Sequence, residues 1–162
     1  MKLIPLTQGK FAKVSDHRFA EVNQYKWFAI YDNKRNTFYA VRWTGIDSNY
    51  ISMHRFIMNT PHDLICDHIN HETLDNQDEN LRNCTMTESN RNRRRNKNNT
   101  SGYKGVSRSG KKWRTVLQIG GKKVFSGFYE NLEEAARAYD KAAKKHFGDF
   151  ASLNFEPERN NP

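Results

Sequence analysis

Cys66-Asp67-His68 opens a polar segment in which a carboxylate and an imidazole are adjacent in the chain. Carboxylate oxygens are ligands that hard divalent cations prefer. A neutral imidazole, with a usual pKa of about 6.5, is a suitable general base. Together they supply what phosphodiester hydrolysis requires, which is an activated water and positive charge beside the phosphate. The segment runs to Asn80-Leu81-Arg82 and is so polar that it needs a packed neighbour or a metal ion to organise it.

A strongly basic stretch follows this segment. Between Glu88 and Glu130 the chain carries no Asp or Glu. The basic residues of that interval are Arg91, Arg93, Arg94, Arg95, Lys97, Lys104, Arg108, Lys111, Lys112, Arg114, Lys122 and Lys123. The whole chain of 162 residues has a formal net charge of +9. A balance of this sign and size predicts a polyanionic partner, and double-stranded DNA is our first expectation.

The remaining composition excludes several classes of protein. No apolar run approaches the roughly 18 residues of a membrane span, so we expect no membrane insertion. Residues 1–5 lack the apolar core of a signal peptide, which indicates an intracellular, cytoplasmic protein. The two cysteines, Cys66 and Cys84, are too few for a four-cysteine zinc site or a disulfide scaffold. We therefore expect no structural zinc.

The elements that must position the polar segment begin with a hairpin. Two runs rich in aromatic and β-branched residues, 26–31 and 38–43, flank a turn-like cluster, which predicts paired strands. Residues 50–58 indicate a short strand that passes into a helix ending before Pro61. Residues 91–102 contain no hydrophobic side chain and favour an extended, basic linker. These patterns predict an α+β protein.

Three short β-like runs divided by glycines, 103–107, 113–119 and 122–128, predict a second sheet. Asn131 is placed to cap a following helix, and Gly148 is placed to end it.

Alternation along these strands predicts two faces. It places Trp113, Leu117 and Val124 under the helix. It places Arg114, Gln118, Lys123 and Phe125 on the outer face, toward DNA.

Residues 100–155 resemble the apetala-two (ethylene-response-factor) DNA-binding domain of plant transcription factors. The matching segments are Tyr103-Lys104-Gly105-Val106, Lys112-Trp113, Glu133-Glu134-Ala135-Ala136-Arg137-Ala138-Tyr139-Asp140 and Leu153-Asn154-Phe155. The resemblance implies a three-stranded antiparallel sheet packed on one helix, with its outer face in a major groove. Ser107, Val116 and Gln118 depart from charged residues of the plant domains, so base preference does not transfer. The residues that we predict to contact DNA are Arg91, Arg93, Arg94, Arg95, Lys97, Lys104, Arg108, Lys112, Arg114, Gln118, Lys123 and Phe125.

The central segment resembles the HNH nuclease family. The matching motifs are Met53-His54-Arg55, Asp67-His68-Ile69-Asn70, Leu74-Asp75-Asn76, Asn80-Leu81-Arg82 and Cys84-Thr85. In combination with the carboxy-terminal resemblance, the chain is similar to phage and mobile-element homing endonucleases. The resemblance implies a ββα-metal module in which Asp67 binds one divalent metal ion, Mg²⁺ or Mn²⁺. It implies that His68 is the general base and that Asn80 braces the loop carrying it.

The last metal ligand of that family, usually an Asn or His, falls on the following helix. With the motif anchored on Asn92, that position is Ser89, and Asn90 lies one residue out of register. We expect Asn90 to be the ligand. His54 is expected to have a structural role near the site, and Arg55 could reach a phosphate.

The predicted organisation has five parts. They are an amino-terminal β-rich DNA-gripping segment (1–50), the HNH nuclease module (51–92), a basic linker (93–102), the apetala-two-type domain (103–155) and a tail (156–162). The leading hypothesis is a metal-dependent DNA endonuclease, acting as a monomer or a dimer. A DNA-binding regulator with a weakened HNH core is the alternative, since a serine hydroxyl is a poorer metal ligand than an amide or imidazole. An RNA-binding protein is less favoured, because aromatic RNA-stacking motifs are absent.

Overall fold

The computed structural model describes residues 1–45 and 49–155, and the predicted tail lies outside the described residues. The chain divides into two compact units, Met1–Ser89 and Asn90–Pro162. Small sheets and few helices make up the described part, so the α+β class is confirmed. No helix among the described residues is long and apolar enough to cross a membrane.

The first unit is built from short elements. In chain order, up to the end of its last helix, they are β1 (Lys2–Pro5), β2 (Phe11–Val14), α1 (Phe19–Val22), β3 (Phe28–Asp32), β4 (Thr37–Trp43), β5 (Tyr50–Ser52), α2 (Met53–Ile57), β6 (Ile65–His68), β7 (Asp75–Asn76), β8 (Leu81–Cys84) and α3 (Met86–Arg91). The predicted hairpin is confirmed as β3–β4, and the strand that passes into a helix before Pro61 is confirmed as β5–α2.

Three sheets form from these strands. β1, β2 and β7 make the first, with β7 joining β2 in parallel, and β3, β4 and β5 make an antiparallel second sheet. β6 and β8 form an antiparallel pair.

One hydrophobic core joins the elements of the first unit. Its buried members are Ile4, Ala12, Val14, Val22, Trp27, Ala40, Met53, Ile57, Cys66 and Leu81. Burial of each large side chain is worth about 1.5–3 kcal/mol. Members come from both sides of the predicted boundary at residue 50, so the structure does not separate the amino-terminal segment from the central one. This shared core supplies the packed neighbour that the polar central segment needs.

The second unit contains a sheet and a long helix. The strands are β9 (Val106–Ser109), β10 (Lys112–Ile119) and β11 (Lys122–Tyr129), and the helix is α4 (Leu132–Phe147). The strands are antiparallel in the order β11-β10-β9. Asn131 caps α4 by accepting from the Glu133 and Glu134 amides, and Gly148 follows its last residue with φ 56°.

Small residues let α4 lie close to the sheet. Ala135, Ala136 and Ala143 are at most 1% exposed. A Cβ atom at Gly105, whose φ is 74°, would lie 2.0 Å from the Tyr139 ring. The chain can pass under that ring only with glycine at this position.

A β-bulge changes the faces of β11 relative to the sequence prediction. Leu117 pairs with Phe125, whereas Gln118 pairs with Lys123, so Val124 is the extra residue. Phe125 therefore packs with Leu117 against α4, while Val124 is 38% exposed. The prediction of Phe125 on the outer face and Val124 under the helix is wrong, because simple alternation does not account for the extra residue. Lys123 pairs with Gln118, so it lies on the outer face as predicted.

Residues 93–102, which were predicted to be a linker, belong to the second unit. The Lys104 ammonium donates to the carbonyls of Arg91 and Arg93 at 2.9 and 2.6 Å. The side-chain amide of Asn99 donates to the Tyr103 carbonyl at 2.8 Å, and the buried Ser101 hydroxyl donates to the Val106 carbonyl at 2.8 Å. These bonds hold the basic stretch against the start of the sheet.

Candidate active site

The residues predicted to do chemistry lie on the β6–β8 hairpin. Asp67 pairs with Arg82 across the two strands, and His68 pairs with Leu81. Asp67 and His68 are the last two residues of β6, and the negative charge of Asp67 acts on the His68 ring. Asp67 is half-buried and His68 is buried beside the core.

The start of α3 is fixed by a capping box. The Glu88 amide donates to the Thr85 hydroxyl at 3.2 Å, and the Thr85 amide donates to the Glu88 carboxylate at 2.8 Å. The Ser89 amide then donates to the Thr85 carbonyl at 3.0 Å. This cap sets the register of the helix and determines which residue of its first turns faces the hairpin.

Asp67 has a partner on each carboxylate oxygen. Its Oδ2 accepts from the Arg82 guanidinium at 3.1 Å, and each of these side chains is 14% exposed. Its Oδ1 accepts from the Ser89 hydroxyl at 3.4 Å. The Ser89 hydroxyl oxygen therefore lies beside Oδ1 of Asp67, while the Arg82 guanidinium lies beside Oδ2.

His68 is held by Asn76. The His68 Nε2 atom lies 3.3 Å from Asn76 Oδ1, and Asn76 is fully buried. With the proton on Nε2, the ring donates to Asn76 and carries the lone pair of a base on Nδ1. Burial lowers the pKa of His68, against smaller opposing effects of the Asn76 hydrogen bond and the Asp67 charge. The imidazole is therefore in its neutral, proton-accepting form at neutral pH.

Two further rings pack around His68. His54 meets it edge-on with ring centroids 4.8 Å apart, and the Tyr39 ring lies 6.4 Å from it. Burial, followed by the charge of His68, lowers the pKa of His54 to about 3. His54 is 8% exposed, and its carbonyl accepts from the Cys66 thiol at 3.4 Å. His54 thus stands behind His68 as a neutral ring.

Asn80 joins the two ends of the loop that follows His68. Its side-chain oxygen accepts from the Asn70 amide at 2.9 Å, and its side-chain nitrogen donates to the Asp75 carbonyl at 2.7 Å. Its own carbonyl accepts from the Ile69 amide at 2.9 Å. Asn80 is 6% exposed, so water does not reach its polar groups and these hydrogen bonds satisfy them instead. This geometry suits a residue that braces the loop.

Arg55 is bonded to the backbone that follows its own helix. Its guanidinium donates to the carbonyls of Leu64, Thr60 and Pro61 at 3.0, 3.3 and 3.1 Å. These bonds satisfy backbone carbonyls of the loop between α2 and β6, and the expected phosphate contact stays a prediction.

The oxygen atoms beside Asp67 fit a hard divalent cation. Mg²⁺ is usually held by one or two carboxylates, with water and substrate phosphate completing its shell. Asp67 would supply one carboxylate oxygen, Oδ1, and the Ser89 hydroxyl would supply a second, uncharged oxygen. Among the described residues, no group of three or more His, Cys, Asp or Glu is placed to hold a metal. The contact with Asp67 favours Ser89 as the second ligand, while Asn90 follows it in α3 with an exposed side chain.

The sequence did not predict that Asn76, Arg82 and Tyr39 lie beside Asp67 or His68. Asp75-Asn76 was predicted as part of a matching motif, and the structure shows that it forms β7 and pairs with residues of β2. Arg82 was part of a motif without a role, and its contact with Asp67 depends on the register of the hairpin. Tyr39 had a detectable signal, since it lies on the predicted strand that passes beside the site.

The predicted DNA-contacting residues of the second unit fall into two groups. Most have exposed side chains, namely Arg93, Arg94, Arg95, Lys97, Arg108, Lys112, Gln118 and Lys123. The others are half-buried. The Arg91 guanidinium lies 5.2 Å from the Phe147 ring. Burial lowers the pKa of Lys104 to about 8, and Phe125 packs under α4. Arg114 is half-buried on the outer face, paired with Phe128.

Comparison with known proteins identifies a relative of nearly the whole chain. No family model matches the sequence, and no solved structure matches it. An uncharacterized HNH endonuclease of Acanthamoeba polyphaga mimivirus is 30% identical over 156 residues, which cover 91% of this chain and 76% of the relative. The Asp67–His68 hairpin with its bracing Asn80 lies within a chain that is similar to that protein over most of its length, and the chain belongs to the HNH endonuclease family.

Proposed function

We propose that the protein is a metal-dependent DNA endonuclease that hydrolyses phosphodiester bonds. The observation that supports this most directly is the pairing of a neutral, buried imidazole at His68 with an adjacent Asp67–Ser89 oxygen pair. Phosphodiester hydrolysis needs a base for the attacking water and an anion-stabilising centre. The hairpin supplies a candidate for each within two consecutive residues.

In the proposed reaction, His68 accepts a proton from the attacking water through Nδ1. Asn76 holds the other ring nitrogen, and Asn80 keeps the following loop in place, so the imidazole is oriented before substrate arrives. Asp67 and Ser89 would hold Mg²⁺ or Mn²⁺, which when bound neutralises charge at the scissile phosphate and leaving oxygen.

The second unit is proposed to dock on duplex DNA as an apetala-two-type domain. Its support is the sheet with α4 on one face, and the exposed cations on its outer side and on residues 93–97. Phe125 lies under α4, but Phe128 is 59% exposed and pairs with Arg114, so it provides an aromatic side chain on the outer face. Homing on a specific site, and action as a monomer that nicks or a dimer that cuts both strands, belong to the same proposal.

A second candidate function is a DNA-binding regulator with a weakened nuclease core. Two observations favour it. Ser89 offers a hydroxyl where the family uses an amide or an imidazole, and the Arg82 guanidinium lies on Asp67, where it competes with a cation.

Incubation of purified protein with supercoiled plasmid, in Mg²⁺, in Mn²⁺ and in EDTA, tests the two functions. The endonuclease predicts relaxed or linear products that require the metal and disappear in EDTA. Ser89→Asn restores the family's amide and should raise activity at low metal concentration. Tight binding with intact supercoils in both metals, for the wild type and for Ser89→Asn, would favour the regulator.

A further inference from the structure

A cluster of exposed aromatic rings stands at one end of the β3-β4-β5 sheet. Tyr50 contacts two neighbours edge-on, the Phe28 ring at 5.4 Å and the Trp43 ring at 4.9 Å. Trp43 is 45% exposed and Tyr50 is 53% exposed. Large rings normally bury most of their surface in a core. These rings are ordered by one another while part of their surface remains open.

The cluster borders a cavity of about 430 Å³. It is lined by Thr7, Tyr25, Lys26, Phe28, Arg42 and Trp43. Two cations and no carboxylate occur among these lining residues. The Arg42 guanidinium lies over two rings, 4.1 Å from the centroid of Tyr25 and 5.2 Å from that of Phe56. The cavity is thus aromatic in its walls and positive in its charge, which suits a flat, anionic ligand.

β4 connects this cavity with the candidate active site. Tyr39 and Trp43 are four residues apart on the strand, so their side chains lie on the same face. The Tyr39 ring is 6.4 Å from His68. At a rise of about 3.4 Å per residue, Trp43 lies about 14 Å further along the strand than Tyr39. That length corresponds to about four stacked nucleotides, and fewer in an extended strand.

We propose that this cavity binds an unpaired nucleobase of the DNA strand that the enzyme cleaves. The proposal rests on the endonuclease function, because it takes DNA to be the molecule beside His68. Stacking on the ring of Trp43 needs a base with an open face, and neighbouring bases cover both faces inside a duplex. Lys26 and Arg42 would meet the phosphates on either side of that base. The enzyme therefore holds its substrate locally unpaired within a few nucleotides of the scissile bond.

The test uses two single strands of equal length and charge, measured in EDTA so that no cleavage occurs. One is a 20-nucleotide thymidine oligomer, and the other has the same phosphate backbone with an abasic tetrahydrofuran unit at every position. Base stacking predicts that the full-length protein binds the thymidine strand about tenfold more tightly than the abasic one. Trp43→Ala should abolish that difference, and Trp43→Phe should retain most of it.

Tyr31→Ala is the matched control, because Tyr31 is 41% exposed on the opposite face of the same sheet. It should leave the tenfold preference unchanged. Equal affinity of the wild type for the two strands overturns the proposal. So does a Trp43→Ala variant that keeps the preference, or one that weakens both strands equally. Since cleavage is not measured, failure of the endonuclease proposal in the plasmid assay remains distinguishable from failure of this one.

Discussion

The two units of this protein use polar residues in opposite ways. In the first, the carboxylate, imidazole and amides of the site are largely removed from water and bonded to one another, as with His68 to Asn76 and Asp67 to Arg82. In the second, most of the predicted DNA-contacting cations stay in solvent. Chemistry requires groups whose orientation and protonation are set in advance. Phosphate binding requires charges that give up only counterions and loosely held water.

The largest expected effect comes from a substitution that removes the proposed base of the first unit and leaves the second unit intact. His68→Ala removes the base, so the rate of plasmid cleavage should fall by about 10²–10⁴-fold. DNA affinity measured in EDTA should stay within about twofold of the wild type, because the exposed cations are unchanged.

His62→Ala, which removes an exposed histidine six residues before His68, is the matched control and should cleave normally. If His68→Ala retained wild-type cleavage, the base would have to be another residue.

The second prediction separates two phenylalanines of β11. Phe125 packs with Leu117 against α4, whereas Phe128 is 59% exposed. Phe125→Ala should lower the free energy of unfolding by about 2–3 kcal/mol, since a partly buried ring is lost from the core. Phe128→Ala should change it by no more than about 0.5 kcal/mol and should weaken binding to duplex DNA. Urea unfolding and a titration with duplex DNA measure both properties, and the opposite pattern would restore simple alternation along β11.

The third prediction concerns the response of the first unit to acid. The pKa of His54 is about 3 in the folded protein and about 6.5 when unfolded, so the unfolded chain takes up more protons between these values. The stability that depends on a neutral His54 is complete above about pH 6.5 and is lost as the pH falls toward 3. Between pH 6.5 and pH 5 the loss should be about 2 kcal/mol.

Urea unfolding at these two pH values measures that loss. His54→Gln should make the difference between the two pH values smaller by about 2 kcal/mol. His62→Gln, at an exposed position, should preserve it. A wild-type free energy of unfolding that is equal at both pH values would contradict a neutral, buried His54.

Local patterns were sufficient to predict much of this structure. The cap at Asn131, the hairpin β3–β4 and the end of α2 before Pro61 each depend on residues close together in the chain. The Asp67–His68 pair was identified because both residues are chemically distinctive and adjacent.

The features that sequence did not predict depend on distant residues or on a change of register. β7 pairs in parallel with β2, which lies about 60 residues earlier in the chain. The local sequence, Asp75-Asn76, is short and polar, a pattern that is typical of a turn. The face of Phe125 depends on one bulged residue, and no residue type announces a bulge reliably. The Arg82–Asp67 contact depends on how β6 and β8 align across a twelve-residue connection.

The smallest expected effect is on the salt dependence of DNA binding, and it compares cations on the outer face of the second unit with one that is bonded inside it. Each phosphate contact contributes about 0.9 to the slope of log K against log salt for duplex DNA. Arg114→Ala combined with Lys123→Ala removes two charges from the outer face of the sheet, so the slope should become shallower by about 2. Lys104→Met removes a charge whose ammonium already donates to the carbonyls of Arg91 and Arg93, and it should leave the slope unchanged.

Affinity measured at several salt concentrations in EDTA compares these variants. A shallower slope for Lys104→Met would mean that its ammonium leaves the two carbonyls when DNA binds, and that residues 91–93 are released with it. An unchanged slope for the double variant would instead remove the sheet from the DNA interface and leave residues 93–97 as its main cationic contact. The salt dependence therefore distinguishes a docked sheet from a basic arm, because the two surfaces carry different, separately removable charges.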